Sequence, residues 1–155
     1  MAKIKKKTEV EMLKEDARKG SVAALYNLGY IYLLGEKVEA NPQKAIGYFR
    51  RGASHQDGKC MQALAMCFRN GDGVEVDLDK MIYWLNNGVK INDASCMYQL
   101  GLCYENGNGV EVDMEKAVSL MQMASKQHKE AKRWLKAHHY HQSFFKRIFG
   151  GRARI

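Results

Sequence analysis

A 36-residue self-similarity constrains this chain more than any other feature. Leu28-Gly29, Leu64-Ala65 and Leu100-Gly101 fall 36 apart, as do Tyr32, Phe68 and Tyr104. Gly35, Gly71 and Gly107 keep the spacing, followed by Val38, Val74 and Val110, then Lys44, Lys80 and Lys116. Two copies match almost literally: Asn70-Gly-Asp-Gly-Val-Glu-Val-Asp77 against Asn106-Gly-Asn-Gly-Val-Glu-Val-Asp113. A fixed period of this size marks a stack of supersecondary units, each too small to bury its own apolar face alone.

Each unit holds two stretches of helical periodicity. Ala24, Leu28 and Tyr32 stand at i, i+4 and i+8, as do Cys60, Leu64 and Phe68, then Cys96, Leu100 and Tyr104. Such a stripe is one face of a helix, here called first-type. Gly is costly inside a helix, so the small residue after Leu (Gly29, Ala65, Gly101) predicts close approach of a neighbouring helix. The second-type stretches begin at Lys44-Ala45-Ile46, Lys80-Met81-Ile82 and Lys116-Ala117-Val118. Asn41, Asp77 and Asp113 precede them as helix caps, and Pro42 sits at a first helical position where its missing N–H costs nothing.

Gly71 and Gly73, like Gly107 and Gly109, are expected to supply positive φ in the connections, with Val74 and Val110 plugging those connections into the core. Thr8-Glu9-Val10-Glu11 reads as a capping box opening a lone second-type helix to about Lys19. Ala131 and Leu135 open a trailing first-type helix with one residue deleted relative to the period. Eight helices and no strand are expected: one leading (8–20), three pairs (21–57, 58–93, 94–128) and one trailing and capping (129–149), with a basic tail over 150–155 in a single repeat domain, 1–155.

The Leu-Gly-x2-Tyr hairpins resemble tetratricopeptide units, but a 36-residue period and the Gly-x-Gly-Val-x-x-Asp connection depart from that 34-residue pattern. With Lys-Ala-x2-aromatic following, the pattern resembles the Sel1-like repeat family over roughly 21–128. The motif is degenerate in the first copy, where Lys37 replaces the second Gly and Asn41 the Asp. The resemblance implies an all-α, right-handed superhelix of about three repeats with half-repeats at both ends. It also implies a bacterial, non-catalytic scaffold or adaptor for protein–protein interaction, with immunity or regulatory roles among the family's range; a cytoplasmic location is expected instead from the lack of an apolar span and of a secretory signal.

Charge is unevenly placed. Residues 1–20 carry a net +3, residues 21–128 a net −2 and residues 129–155 a net +7, together the chain's +8. A solenoid gripping nucleic acid along its groove would carry a basic stripe through its repeats, and this body is nearly neutral. No apolar run approaches the roughly 18 residues that span a bilayer. The basic opening Met1 to Lys7 leads into a charged helix without an apolar segment, unlike a secretory signal.

Cys60 and Cys67, like Cys96 and Cys103, lie seven apart on one helix, about 10 Å of rise and out of disulfide reach. No Cys-x2-Cys zinc spacing occurs, and these thiols read as small core residues. The secreted, cysteine-rich branch of the Sel1-like family pairs a late second-helix Cys with one opening the next first helix. Ala53, Val89 and Ser125 hold those late positions here.

Asp72, Glu75, Asp77 and Asp79 lack EF-hand spacing and read as turn chemistry. His138, His139 and His141 lack a third ligand of matching geometry. No nucleophile motif or phosphate loop occurs. The expectation is therefore no enzyme, no metal, no cofactor and no small-molecule substrate.

The residues that stand out are 26, 30 and 33 and their counterparts, which point away from the first-type stripe. They include Tyr26, Tyr30, Leu33, Met66, Arg69, Tyr98, Leu102 and Glu105, types enriched at interface cores. They are candidates for holding a partner protein or peptide on a concave face; the competing reading is that curvature or the trailing helix covers them. The tail from Ala137 offers Tyr140, Phe144 and Ile148 at helical spacing beside Lys146, Arg147, Arg152 and Arg154. It reads either as a cap on the last repeat or as a basic amphipathic arm for an anionic membrane surface. The rival function is accordingly a peripheral membrane or nucleic-acid-associated factor acting through basic termini.

Overall fold

The computed structural model describes residues 8–138. Their regular structure is eight helices, with no strand among the described residues. These are α1 (Glu9–Arg18), α2 (Val22–Leu34), α3 (Pro42–Ser54), α4 (Gly58–Asn70), α5 (Leu78–Lys90), α6 (Ala94–Asn106), α7 (Met114–Ala124) and α8 (129–138). The chain divides into two compact units, Met1–Ile91 with α1 to α5 and Asn92–Ile155 with α6 to α8.

Capping chemistry sets the helix starts. Thr8 accepts from the Glu11 backbone N–H while the Glu11 carboxylate accepts from the Thr8 N–H, the reciprocal box read from the sequence. Asn41, Asp77 and Asp113 each accept from the backbone N–H three residues on, at 2.9, 2.9 and 3.0 Å. Ser21, Asp57 and Asp93 cap the first-type helices in the same way.

Helices α2, α4 and α6 each end on a left-handed glycine, Gly35, Gly71 or Gly107. Two residues later the chain is left-handed again, at Gly73 (φ 73°), Gly109 (φ 72°) and Lys37 (φ 66°). The first repeat keeps the backbone path although Lys occupies a position where a Cβ is disfavoured. The connections close by a recurring bond, from the N–H of Asn41, Asp77 and Asp113 to the carbonyls of Tyr32, Phe68 and Tyr104. Val74 and Val110 are only half-buried, because this connection is held by its own hydrogen bonds more than by an apolar plug.

Packing explains the small residues. A Cβ on Gly29 would overlap the ring of Phe49 from α3, and one on Gly101 would meet the Met121 methyl of α7. Gly52 of α3 lies equally close to Cys60 of α4. In the first unit Leu25, Leu28, Phe49, Leu64 and Met81 are essentially inaccessible; in the second, Leu100, Ala117, Met121 and Ala131 are. Burial of such side chains contributes about 1.5–3 kcal/mol each for the larger ones.

Lysines and aromatics that recur in the sequence meet in space. Lys44, Lys80 and Lys116 place their ammonium groups 5.4, 5.5 and 5.2 Å from the rings of Tyr32, Phe68 and Tyr104. Lys80 and Lys116 also pair with the cap carboxylates of Asp77 and Asp113, so one cation ties the helix start to the ring before it.

Candidate functional site

In the first unit, α2 and α4 carry the outward face of the first-type helices. Tyr26, Tyr30, Leu33, Gln62 and Met66 are half-buried there and Arg69 is exposed. The ring centroids of Tyr26 and Tyr30 lie 4.9 Å apart, and Tyr30 sits 5.3 Å from Phe49 in edge-to-face contact. Burial, with help from Tyr26, pushes the Tyr30 hydroxyl up to about 12, so it stays a neutral hydrogen-bonding group. Lys59 reaches over the Tyr26 ring at 5.9 Å. The result is an aromatic surface anchored from below by the core, with cations at its margins.

Beside it opens a cleft of about 400 Å³, bounded by Glu9 and Leu13 of α1, by Ile31 and Leu34 of α2, and by Lys37. Tyr26 and Tyr30 form part of its wall. Lys37 donates to both Glu9 oxygens at 2.7 Å across one end.

In the second unit the corresponding residues are Tyr98, Leu102 and Glu105 on α6, all half-buried. Tyr98 stacks on His128, centroids 4.4 Å apart. Glu105 is engaged within the unit: Trp134 Nε1 donates to one carboxylate oxygen at 2.9 Å, and His138 Nε2 lies 3.0 Å from the other. The Trp134 and His138 rings stack at 3.7 Å. Glu105, one of the candidates for holding a partner, thus ties α8 to α6.

Trp134 was not legible as the anchor. Ala131 and Leu135 mark the helix in the repeat pattern, yet Ala131 and Trp134 are the buried pair and Leu135 is half-buried. A lone Trp among Lys129, Lys132, Arg133 and Lys136 was the available signal, since a large ring in so basic a helix points to burial.

The matching sequence model is the Sel1 repeat, over residues 22–57, 58–87 and 94–129. The chain belongs to the Sel1 repeat family. Among solved structures, a Sel1 repeat protein from Oxalobacter formigenes is similar at 28% identity and TM-score 0.74, covering 81% of this chain and 52% of its own. A protective antigen from uropathogenic Escherichia coli strains, described as displaying an SLR fold, gives 28% identity and TM-score 0.74 over 81% of this chain and 27% of its own. The chain therefore spans about half the length of the first and about a quarter of the second. Cysteine-rich protein B of Helicobacter pylori shares the fold at 24% identity and TM-score 0.65, over 83% of this chain and 98% of its own. No curated protein matches the sequence. Sel1 repeat proteins are generally protein-interaction scaffolds, and this chain has their all-α repeat fold.

All four cysteines are buried, and none is in a disulfide. Burial pushes Cys67 up to about 11 and Cys60 higher still. Thiols held neutral in this way are poor nucleophiles and poor metal ligands. Of the acidic cluster, Asp77 caps α5 and pairs with Lys80, and Asp72 accepts from the Asn70 amide. His139, His141 and the aromatic tail from Tyr140 to Ile148 lie outside the described residues.

Proposed function

We propose that this chain is a non-catalytic interaction scaffold that holds a peptide or partner protein against the outward faces of its first-type helices. The observation that supports this reading is the half-buried surface of Tyr26, Tyr30, Leu33 and Met66 in the first unit, where a purely solvated helix face would carry Lys, Glu and Asp. Rigid aromatic rings offer large contact area at little conformational cost, and Arg69 at the edge can orient a carboxylate. In the second unit Tyr98 and Leu102 are the matching contacts. Adaptor, immunity and regulatory roles would each fit such a face. As part of the same proposal the site of action is the cytosol, where buried thiols stay reduced.

The test is affinity capture from the native cell extract with wild type and with a Tyr26→Ala/Met66→Ala/Leu102→Ala variant, with circular dichroism to check folding. The reading expects partners held by wild type to be lost from the folded variant. Full retention of every partner would sink it. A second reading, peripheral binding of a membrane or nucleic acid, draws on the exposed stripe of Lys129, Lys132, Arg133 and Lys136 on α8. Binding of that kind collapses with rising salt, whereas aromatic contacts lose little.

A further inference from the structure

Three helix starts in this chain are built alike and differ in one group. Asn41, Asp77 and Asp113 share a backbone φ of −147°, and each accepts through Oδ1 from the N–H three residues on. The other terminal atom of the side chain separates them. At Asp77 and Asp113 it is Oδ2, which pairs with the Lys80 ammonium at 2.6 Å and the Lys116 ammonium at 3.0 Å. At Asn41 it is the amide NH2, because the bond from the Lys44 N–H fixes which atom is the oxygen. An amide NH2 only donates, so it cannot pair with an ammonium.

Lys44 nevertheless keeps the place of its counterparts. Its ammonium lies 5.4 Å from the Tyr32 ring centre, where Lys80 and Lys116 lie 5.5 and 5.2 Å from Phe68 and Tyr104. Among the described residues it makes no ion pair. A solvated lysine is the ordinary reading of an exposed one, but this position holds a carboxylate in both other copies.

The two donors border a cavity of about 340 Å³, lined by Tyr32, Val38, Glu39, Ala40, Asn41 and Lys44. Tyr32 is 7% exposed, so this wall is fixed by the core. Lys14 of α1 brings a second ammonium to 5.7 Å from the same ring. The Phe68 ring of the same unit has Lys80 alone among the described residues. Positive charge therefore gathers at the one cap that lacks its own carboxylate. Glu39 limits what fits, since a phosphate dianion would set two negative charges against it and a carboxylate only one.

We propose that the cavity at the start of α3 binds a carboxylate from outside the chain. The Lys44 ammonium and the Asn41 NH2 hold it in the place that Asp77 and Asp113 fill with their own Oδ2. A carboxylate has two oxygens, so it accepts from both donors at once. The group comes either from a free carboxylic acid or from an acidic side chain of a peptide. The site uses none of Tyr26, Tyr30 and Met66, so it stands or falls apart from the scaffold reading.

Nuclear magnetic resonance of the ¹⁵N-labelled full chain tests this, following the Asn41 side-chain NH2 and the Lys44 backbone amide at constant ionic strength. The probes are sodium acetate, a blocked tetraglutamate peptide and inorganic phosphate, balanced with sodium chloride. Acetate should move both signals to saturation, and phosphate should bind more weakly. Tighter binding of the peptide per carboxylate assigns the group to a side chain, and equal binding assigns it to free acids. Lys44→Met keeps the stem without the charge and should weaken binding about fivefold, the scale of an exposed ion pair. Asn41→Asp should abolish the acetate response of the Lys44 amide, because the site is then filled from within. Asn41→Asp should also raise the melting temperature more beside Lys44 than in the Lys44→Met background. The same spectra report whether each variant is folded. No saturable response to acetate, phosphate binding tighter than acetate, full binding by Lys44→Met or by Asn41→Asp, or equal melting gains in the two backgrounds would each overturn the proposal.

Discussion

Gly29 and Gly47 lie on facing helices of one hairpin, yet they answer to different constraints. Gly29 leaves the space that the Phe49 ring fills, while a Cβ on Gly47 would meet nothing within 4 Å. Helix propensity alone favours Ala over Gly by about 1 kcal/mol at either position. Gly47→Ala should therefore raise the melting temperature, and Gly29→Ala should lower it because a rigid buried ring must move. Two melting curves of the same sign would refute this account of the crossing. Size separates core from surface in the same way. Leu64→Ala should cost about 2–5 kcal/mol in denaturant unfolding, whereas Tyr26→Ala, which removes a half-buried ring, should cost clearly less. Among the loop glycines, a Cβ on Gly73 would approach the Pro42 carbonyl carbon at 2.7 Å, while one on Gly71 would meet the Val76 methyl at 3.2 Å. Both have positive φ, so both Ala variants lose stability. Gly73→Ala should lose more, since backbone yields less than a methyl.

Helices α5 and α7 carry a pH dependence in their caps. Hydrogen bonds from the Lys80 side chain and backbone hold the Asp77 carboxyl below its ordinary value of 3.8. At Asp113 the Lys116 backbone N–H contributes most, followed by the Lys116 ammonium. A carboxyl lowered in the folded state stabilises it above the unfolded value and loses that contribution as pH falls through the folded one. Melting temperature should accordingly drop below about pH 4, and an Asp77→Asn/Asp113→Asn variant should flatten this acid limb while keeping most of the capping. An acid limb unchanged in that variant would assign the dependence to other groups. Because both carboxyls are solvent-exposed, salt should weaken the effect. The first repeat, capped by Asn41, has no such dependence at the equivalent position.

At the scale of the molecule, the 36-residue period makes one repeat a removable unit. Deleting 58–93 joins two segments in register, and nearest-neighbour stacking predicts a folded, mainly helical and less stable protein. Deleting only about half a period leaves two helices of the same type in succession and should not fold cooperatively. Circular dichroism with thermal melts distinguishes the two deletions, and equal behaviour would remove the basis for treating repeats as modules. The division into two compact units is not visible in the period, which runs through Ile91 without interruption. Periodicity records which residues repeat, and says nothing of how densely successive repeats contact one another.

The sequence by itself determined the helix count, the caps at Thr8, Asn41, Asp77 and Asp113, the left-handed glycines and the stripe of buried Leu residues. Each of these is a local rule, or a local rule repeated at fixed spacing, so it needs no knowledge of distant contacts. It also carried the aromatic candidates Tyr26, Tyr30 and Tyr98, because outward positions follow from helical phase. Only the tertiary structure decided that Tyr30 leans on Phe49, that Lys37 adopts a glycine conformation, and that Glu105 holds Trp134 and His138. The reason is common to all three: side-chain partners 19 to 33 residues apart, or a backbone path imposed by neighbouring repeats, depend on how helices cross. Crossing geometry is set by the summed packing of whole faces, which no single motif encodes.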